Sequence, residues 1–191
     1  MSEETLNVEK KSNLFKELIK FALIAFLVVV PFRYFVAQPF IVNGASMDPT
    51  FHTGEYLIVD QLSYETFEEP QRGSVVIFKY PEDHSKFFIK RIIGLPGETV
   101  EIRGSEVTIF NWQNPEGFAL DETYITHKKN DSLKVKLGDE EYFVLGDNRL
   151  QSSDSRIWGP VERSEIVGRP LIRLFPLNQL QLLPGDKNYS R

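Results

Sequence analysis

The sequence predicts a mostly β fold, an antiparallel β domain carried behind one N-terminal transmembrane helix. Three observations carry that expectation: an uncharged apolar run near the N-terminus, a switch to short alternating segments from Phe40 onward, and turn residues at the breaks between them. The 191 residues are 41% hydrophobic and 26% charged, which suits a chain with a real core and argues against disorder or several membrane spans. Lys and Arg number 22 against 27 Asp and Glu, a net charge of −5. Nucleic acid is therefore not an expected partner, because phosphates call for a cationic face. The absence of cysteine excludes a disulfide scaffold, a thiol nucleophile and any Cys-ligated metal.

The apolar run between Lys20 and Arg33, FALIAFLVVVPF, holds twelve uncharged residues. As a helix it covers about 18 Å, short of a hydrocarbon core of roughly 30 Å. An anchor over residues 15–37 is long enough if Lys20 and Arg33 snorkel to the two interfaces, with Tyr34 and Phe35 at the far one. Arg33, Tyr34 and Pro39 follow the run where a cleavable leader would carry a small-x-small site. Lys10, Lys11, Lys16 and Lys20 precede it, so the positive-inside rule keeps the head, residues 1–14, in the cytoplasm. Everything after Ala37 is then exported, and the lipid bilayer is an expected partner.

Residues 38–183 read as the exported β-rich domain. Strands are expected at Phe40–Asn43, Tyr56–Leu62, Ser74–Tyr80, Lys86–Ile93, Thr99–Ile102, Glu106–Phe110, Tyr142–Leu145 and Ile166–Phe175. Leu95-Pro96-Gly97-Glu98 and Gly146-Asp147-Asn148 supply turn chemistry. Residues 111–136, with Asn114, Pro115, Gly117 and a polar run at Lys128–Asp131, read as an accessory insertion or long loop. Residues 184–191 read as a polar, frayed tail.

Three segments carry candidate chemistry. In Asn43–Thr50, Ser46 sits where a strand breaks on Gly44 and Pro49, and such a serine can expose its hydroxyl and lend its backbone N–H to an oxyanion. The octapeptide alone fits a capped turn as well. In Phe87–Ile93, strand alternation puts Phe88, Lys90 and Ile92 on one face and Phe87, Ile89 and Arg91 on the other. Desolvation between Phe88 and Ile92 would favour a neutral Lys90 amine, which can act as a base; a lysine snorkelling from an edge strand is the ordinary alternative. In Gly146–Arg156, the sets Asp147 with Arg149 and Asp154 with Arg156 could lock a loop by ion pairing, with Ser152 and Ser153 offering hydroxyls. His52, His84 and His127 are scattered without metal-ligand spacing, so no metal and no cofactor is expected.

Together these segments resemble the bacterial type I signal peptidases (leader peptidases). Gly44–Thr50 is similar to that family's Ser-Met-x-Pro-Thr box, Phe88–Glu98 to its lysine box, and Gly146–Arg156 to its Gly-Asp-Asn-Arg box. They stand in the family's order behind an N-terminal apolar segment, and the resemblance runs from about Leu14 to Leu174. It implies a membrane-anchored serine endopeptidase that removes signal peptides after small residues, at Ala-x-Ala sites, on the outer face of the cell membrane. By that resemblance Ser46 is the nucleophile and Lys90 the general base, with Ser152 orienting the lysine amine. Asp147, Arg149, Asp154 and Arg156 become structural charges of the loop. Phe40, Val42, Met47, Phe51, Phe88 and Ile89 fall where the family lines its pockets. Implied partners are preprotein signal peptides, with the export machinery beside them.

Two departures from the family pattern stand out. Gly44 replaces a serine that some members use toward the oxyanion, leaving the Ser46 N–H and a local water or backbone group. Leu150-Gln151 replaces the usual Asp-Asn, which removes a carboxylate but neither member of the expected pair. A membrane-tethered binding module with an inactive dyad is the alternative reading, separated from the enzyme by whether the purified chain cleaves a preprotein.

Overall fold

The computed structural model describes residues 16–27, 37–66, 68–187 and 189. The chain divides into two compact units, Met1–Gln38 and Pro39–Arg191. In the first, residues 16–27 form helix α1, with Leu18, Phe21 and Phe26 exposed. Among the described residues no helix is long and apolar enough to cross a membrane. The rest of the predicted anchor, residues 15 and 28–36, lies outside the described residues, as does the predicted head.

The second unit is built of β-strands. In chain order the structure has β1 (Ala37–Ile41), β2 (Tyr56–Asp60), α2 (Leu62–Thr66), β3 (Val75–Tyr80), β4 (Asp83–Gly94), β5 (Thr99–Gly104), β6 (Glu106–Phe110) and β7 (Phe118–Ala119). After these come β8 (Asp131–Lys136), β9 (Glu141–Leu145), α3 (Ser155–Trp158), β10 (Val161–Glu162), β11 (Ile166–Phe175) and β12 (Gln181–Leu182). Among the described residues one sheet runs β1-β2-β11-β3-β4-β9-β10, with β12 on β11, and a four-stranded sheet runs β7-β6-β5-β8. The pairings from β2 onward are antiparallel.

Side-chain alternation explains how the sheets share a core. On β4 and β9, Ile93, Phe143 and Leu145 join Val100, Ile102, Val107 and Ile109 of the small sheet in one cluster. Ile92, Tyr142 and Val144 point the other way, into a second cluster with Val76, Phe78 and Tyr64. Strand β3 is buried on both faces over Val75–Phe78, which is why its sequence is continuously apolar. A third cluster, Val42, Met47, Phe51, Leu57 and Val75, underlies the turn after β1.

Two segments depart from the sequence-based expectation. Residues 111–136 are not only loop, for they supply β7 and β8 to the small sheet. Strand β8 has one face to water and only Leu133 and Val135 against the core, so its polar residues masked it. The expected frayed tail is docked over Pro184–Lys187: Pro184 is buried, the Lys187 N–H donates to Gly73 O at 3.2 Å, and the Gly185 carbonyl accepts a bond from Arg91. The buried guanidinium that holds it there leaves no mark on the tail's own composition.

Candidate active site

After β1 the chain enters a tight turn. The Thr53 hydroxyl accepts from the Gly44 N–H at 3.0 Å and donates to the Gly44 carbonyl at 3.1 Å, and the Phe51 N–H reaches Met47 O at 3.0 Å. Gly44 stands at φ +98°, a backbone conformation that L side chains rarely adopt, so the turn itself favours glycine there. Ser46 sits on this turn, and its N–H is not among the turn's backbone donors.

Lys90 lies on β4 between β3 and β9, with Val76 as its partner on β3. It is only 3% exposed, so it is an interior lysine and not one snorkelling from an edge. Its Nζ donates to Ser46 Oγ at 2.8 Å and to Ile89 O at 2.8 Å, and lies 5.3 Å from the Phe88 ring centroid. Burial lowers its pKa to about 8, although the charges of Asp154 and Asp147 pull the other way. Nucleophile and base candidates, 44 residues apart in sequence, are thus joined by a hydrogen bond.

The loop after β9 holds both from behind. Asp147 accepts Arg91 Nε at 2.9 Å on one oxygen, and Arg91 Nη2 at 2.6 Å and Thr50 Oγ1 at 2.5 Å on the other. Thr50 belongs to the Ser46 turn and Arg91 is the neighbour of Lys90, so one carboxylate ties the two halves together. The Asn148 N–H adds a bond to Ser46 O at 3.0 Å. Asp154 accepts the Gly146 N–H at 3.1 Å and is forked by Arg156 at 2.8 Å; burial pushes its pKa up, but the hydrogen bonds and charge of Arg156 outweigh this and hold it low.

Several expectations are corrected here. Asp147 does not pair with Arg149; it pairs with Arg91, which is fully buried. Arg149 instead forks Glu122 from the stretch between β7 and β8, and its Nε donates to Gly146 O at 3.0 Å. Ser152 does not bond the lysine amine: its Oγ is buried beside Asp154 without a hydrogen bond of normal geometry. Met47 and Phe51, 1% and 0% exposed, do not line the cavity; they are core residues under the turn, and the Arg173 guanidinium lies 4.9 Å from the Phe51 ring centroid. Arg91, Thr50 and Glu122 were missed because each acts through a partner far away in sequence.

Ser46 and Lys90 open into a cavity of about 440 Å³. Phe40, Val42, Phe88 and Ile89 are on its wall, joined by Phe87, whose ring is 5.4 Å from that of Phe40. Gln151 and Ser153 also line it. The cavity is therefore largely apolar with a hydroxyl–amine pair in it. Among the described residues no group of three or more His, Cys, Asp or Glu side chains could hold a metal ion. A hydroxyl bonded to a desolvated amine is suited to nucleophilic attack with the amine as base.

Comparison with known proteins places the chain among relatives. The family described as "Signal peptidase, peptidase S26" matches residues 15–175. A probable signal peptidase I-1 of Synechocystis sp. is 37% identical over 172 residues, 86% of this chain and 84% of that protein. Signal peptidase I of Bacillus amyloliquefaciens is 36% identical over 188 residues, 92% of this chain and 93% of the relative. Signal peptidase I T of Bacillus subtilis is 34% identical over 195 residues, covering 94% and 97% of the two chains.

Proposed function

The chain belongs to the signal peptidase family, peptidase S26, and is a serine peptidase that removes signal peptides; we propose that Ser46 is its nucleophile and Lys90 its general base. The observation that carries this reading is the 2.8 Å bond between Ser46 Oγ and the amine of Lys90, a residue only 3% exposed. In the reacting form the amine is neutral and accepts the Ser46 hydroxyl proton as Oγ attacks the scissile carbonyl. The Ser46 N–H stabilises the resulting oxyanion. Collapse breaks the peptide bond, the Lys90 ammonium returns its proton to the leaving amine, and the acyl-enzyme is hydrolysed by a water that Lys90 deprotonates in turn. Small apolar side chains of an Ala-x-Ala site fit the wall formed by Phe40, Val42, Phe88 and Ile89.

The base strength follows from burial. With a pKa of about 8, roughly a tenth of Lys90 is neutral at pH 7, against about one in three thousand for a lysine at 10.5. We expect kcat/KM to rise with pH as the amine loses its proton and to level off above about 8. A profile flat from pH 6 to 10 would rule out Lys90 as the titrating base. Phe88→Asp sets a carboxylate beside the amine and wets the site; both effects favour the ammonium, so the ascending limb should move to higher pH. A limb that stays put, or moves lower, would show that Phe88 does not set the lysine's surroundings.

The direct test is incubation of the detergent-solubilised chain with a preprotein, followed by mass analysis of the products. Cleavage after a small residue in an Ala-x-Ala site supports the reading, and cleavage elsewhere overturns it. Residues 15–37 are proposed to anchor the enzyme with its N-terminus in the cytoplasm and the catalytic domain on the outer side of the membrane, as the lysine-rich head suggests. A C-terminal reporter active only in the cytoplasm would contradict that orientation.

A further inference from the structure

The segment after β12 touches Arg91, the neighbour of Lys90, and approaches Thr50 and Phe51 of the Ser46 turn. Arg91 is buried with no exposed surface, and its Nε and Nη2 are occupied by Asp147. Its Nη1 donates to two carbonyls, Gly73 at 2.6 Å and Gly185 at 2.5 Å. Gly185 stands at φ +83°, and a Cβ there would come within 2.7 Å of the Phe51 ring and 2.9 Å of the Thr50 methyl. Its carbonyl therefore completes the acceptors of the residue next to Lys90, while its α-carbon packs on the Ser46 turn. The segment is held in place by the Lys187 N–H on Gly73 O and by Asp186 Oδ1, which accepts the Val75 N–H at 3.4 Å. Beyond it the Tyr189 and Tyr124 hydroxyls lie 2.5 Å apart, and Tyr124 presents its ring 4.9 Å from the Arg91 guanidinium.

We propose that Pro184–Lys187 is a clasp that positions the catalytic pair, with Gly185 as its positioning residue. The proposal rests on the Ser46–Lys90 reading. The charges facing Lys90 are Asp154, paired with Arg156, and Asp147, paired with Arg91. When the clasp is lost, Arg91 Nη1 loses an acceptor and water reaches the pair. Wetting of the pair favours the Lys90 ammonium. The clasp does not line the substrate cavity, so binding of the preprotein is left alone.

The test uses a chain ending at Leu183 and a full-length Gly185→Ala, each assayed on a preprotein below its melting transition. For the shortened chain kcat should fall about tenfold or more with KM within about twofold, as expected when reacting groups are misplaced and substrate contacts are kept. Its ascending pH limb should move up by about half a unit, and a synthetic peptide of residues 181–189 should restore both. Gly185→Ala keeps the carbonyl but crowds Thr50 and Phe51, and should lose kcat in the same way. Lower melting temperatures with unchanged kcat and an unmoved limb would overturn the clasp. If the shortened chain does not fold, Gly185→Ala decides alone, and wild-type kcat in that folded variant overturns it. Ser46→Ala and Lys90→Ala run beside them: if these are dead while the clasp variants are normal, only the clasp fails, and if these are active the dyad reading itself fails.

Discussion

Ser46→Ala should lower kcat on a preprotein by about 10⁴-fold or more, Lys90→Ala should do the same, and the double variant should be no worse than either. The non-additivity follows from geometry. The serine hydroxyl is a weak nucleophile without an acceptor for its proton, and the acceptor 2.8 Å away is useless without the hydroxyl. Substrate affinity should hardly change, because the apolar wall from Phe40 to Ile89 is intact in both variants. Lys90→Arg should fail as well, since a guanidinium stays charged at any working pH and cannot take a proton. Steady-state kinetics on purified protein reads all four variants. Near-full activity in either single alanine variant would sink the assignment.

Asp147→Ala should be the most destabilising single change near the site. It removes both carboxylate bonds from Arg91 and the acceptor of Thr50, leaving a guanidinium buried without its counter-charge. Breaking a buried pair from one side costs about 3–5 kcal/mol, a large part of the roughly 5–15 kcal/mol that a domain has. A melting temperature lower by about 10 °C is expected. Removing both partners together, as Arg91→Met with Asp147→Leu, should be less damaging to stability than Asp147→Ala alone, because no lone charge stays inside. Thermal denaturation of the single and double variants tests this. A single variant melting within about 2 °C of the parent would show that Arg91 finds another partner or water.

Local pattern made much of the fold legible. The alternation in β5 and β6, the continuous apolar run of β3 and the glycine and proline breaks appear at the expected places because each is decided by neighbours a few residues away. The apolar neighbours of Lys90 were also readable, since Phe88 and Ile92 flank it on its own face. What was not legible depends on pairing at a distance. Arg91 meets Asp147 across 56 residues, and Arg149 meets Glu122 across 27. A charge in a sequence looks the same whether it is solvated or buried against such a partner. Gly146–Arg156 holds two acidic and two basic side chains near the site, and proximity in sequence suggested the wrong partner for Asp147. Met47 and Phe51 show the converse: apolar residues close to a nucleophile can belong to the core beneath it.

The bonds that assemble the proposed catalytic pair span long stretches of chain. Ser46 and Lys90 are 44 residues apart, Arg91 and Asp147 56, Arg91 and Gly185 94, and Thr50 and Asp147 97. Closing loops of this length is entropically costly and contributes to a high contact order, so the site belongs to the late, cooperative part of folding and not to any early local structure. Until β3, β4 and β9 close around it, Lys90 is an ordinary ammonium titrating near 10.5, with almost no neutral amine at pH 7. On the proposed assignment, a newly made or partly folded chain therefore lacks the base as well as the geometry, and hydrolytic competence reports completion of the global fold.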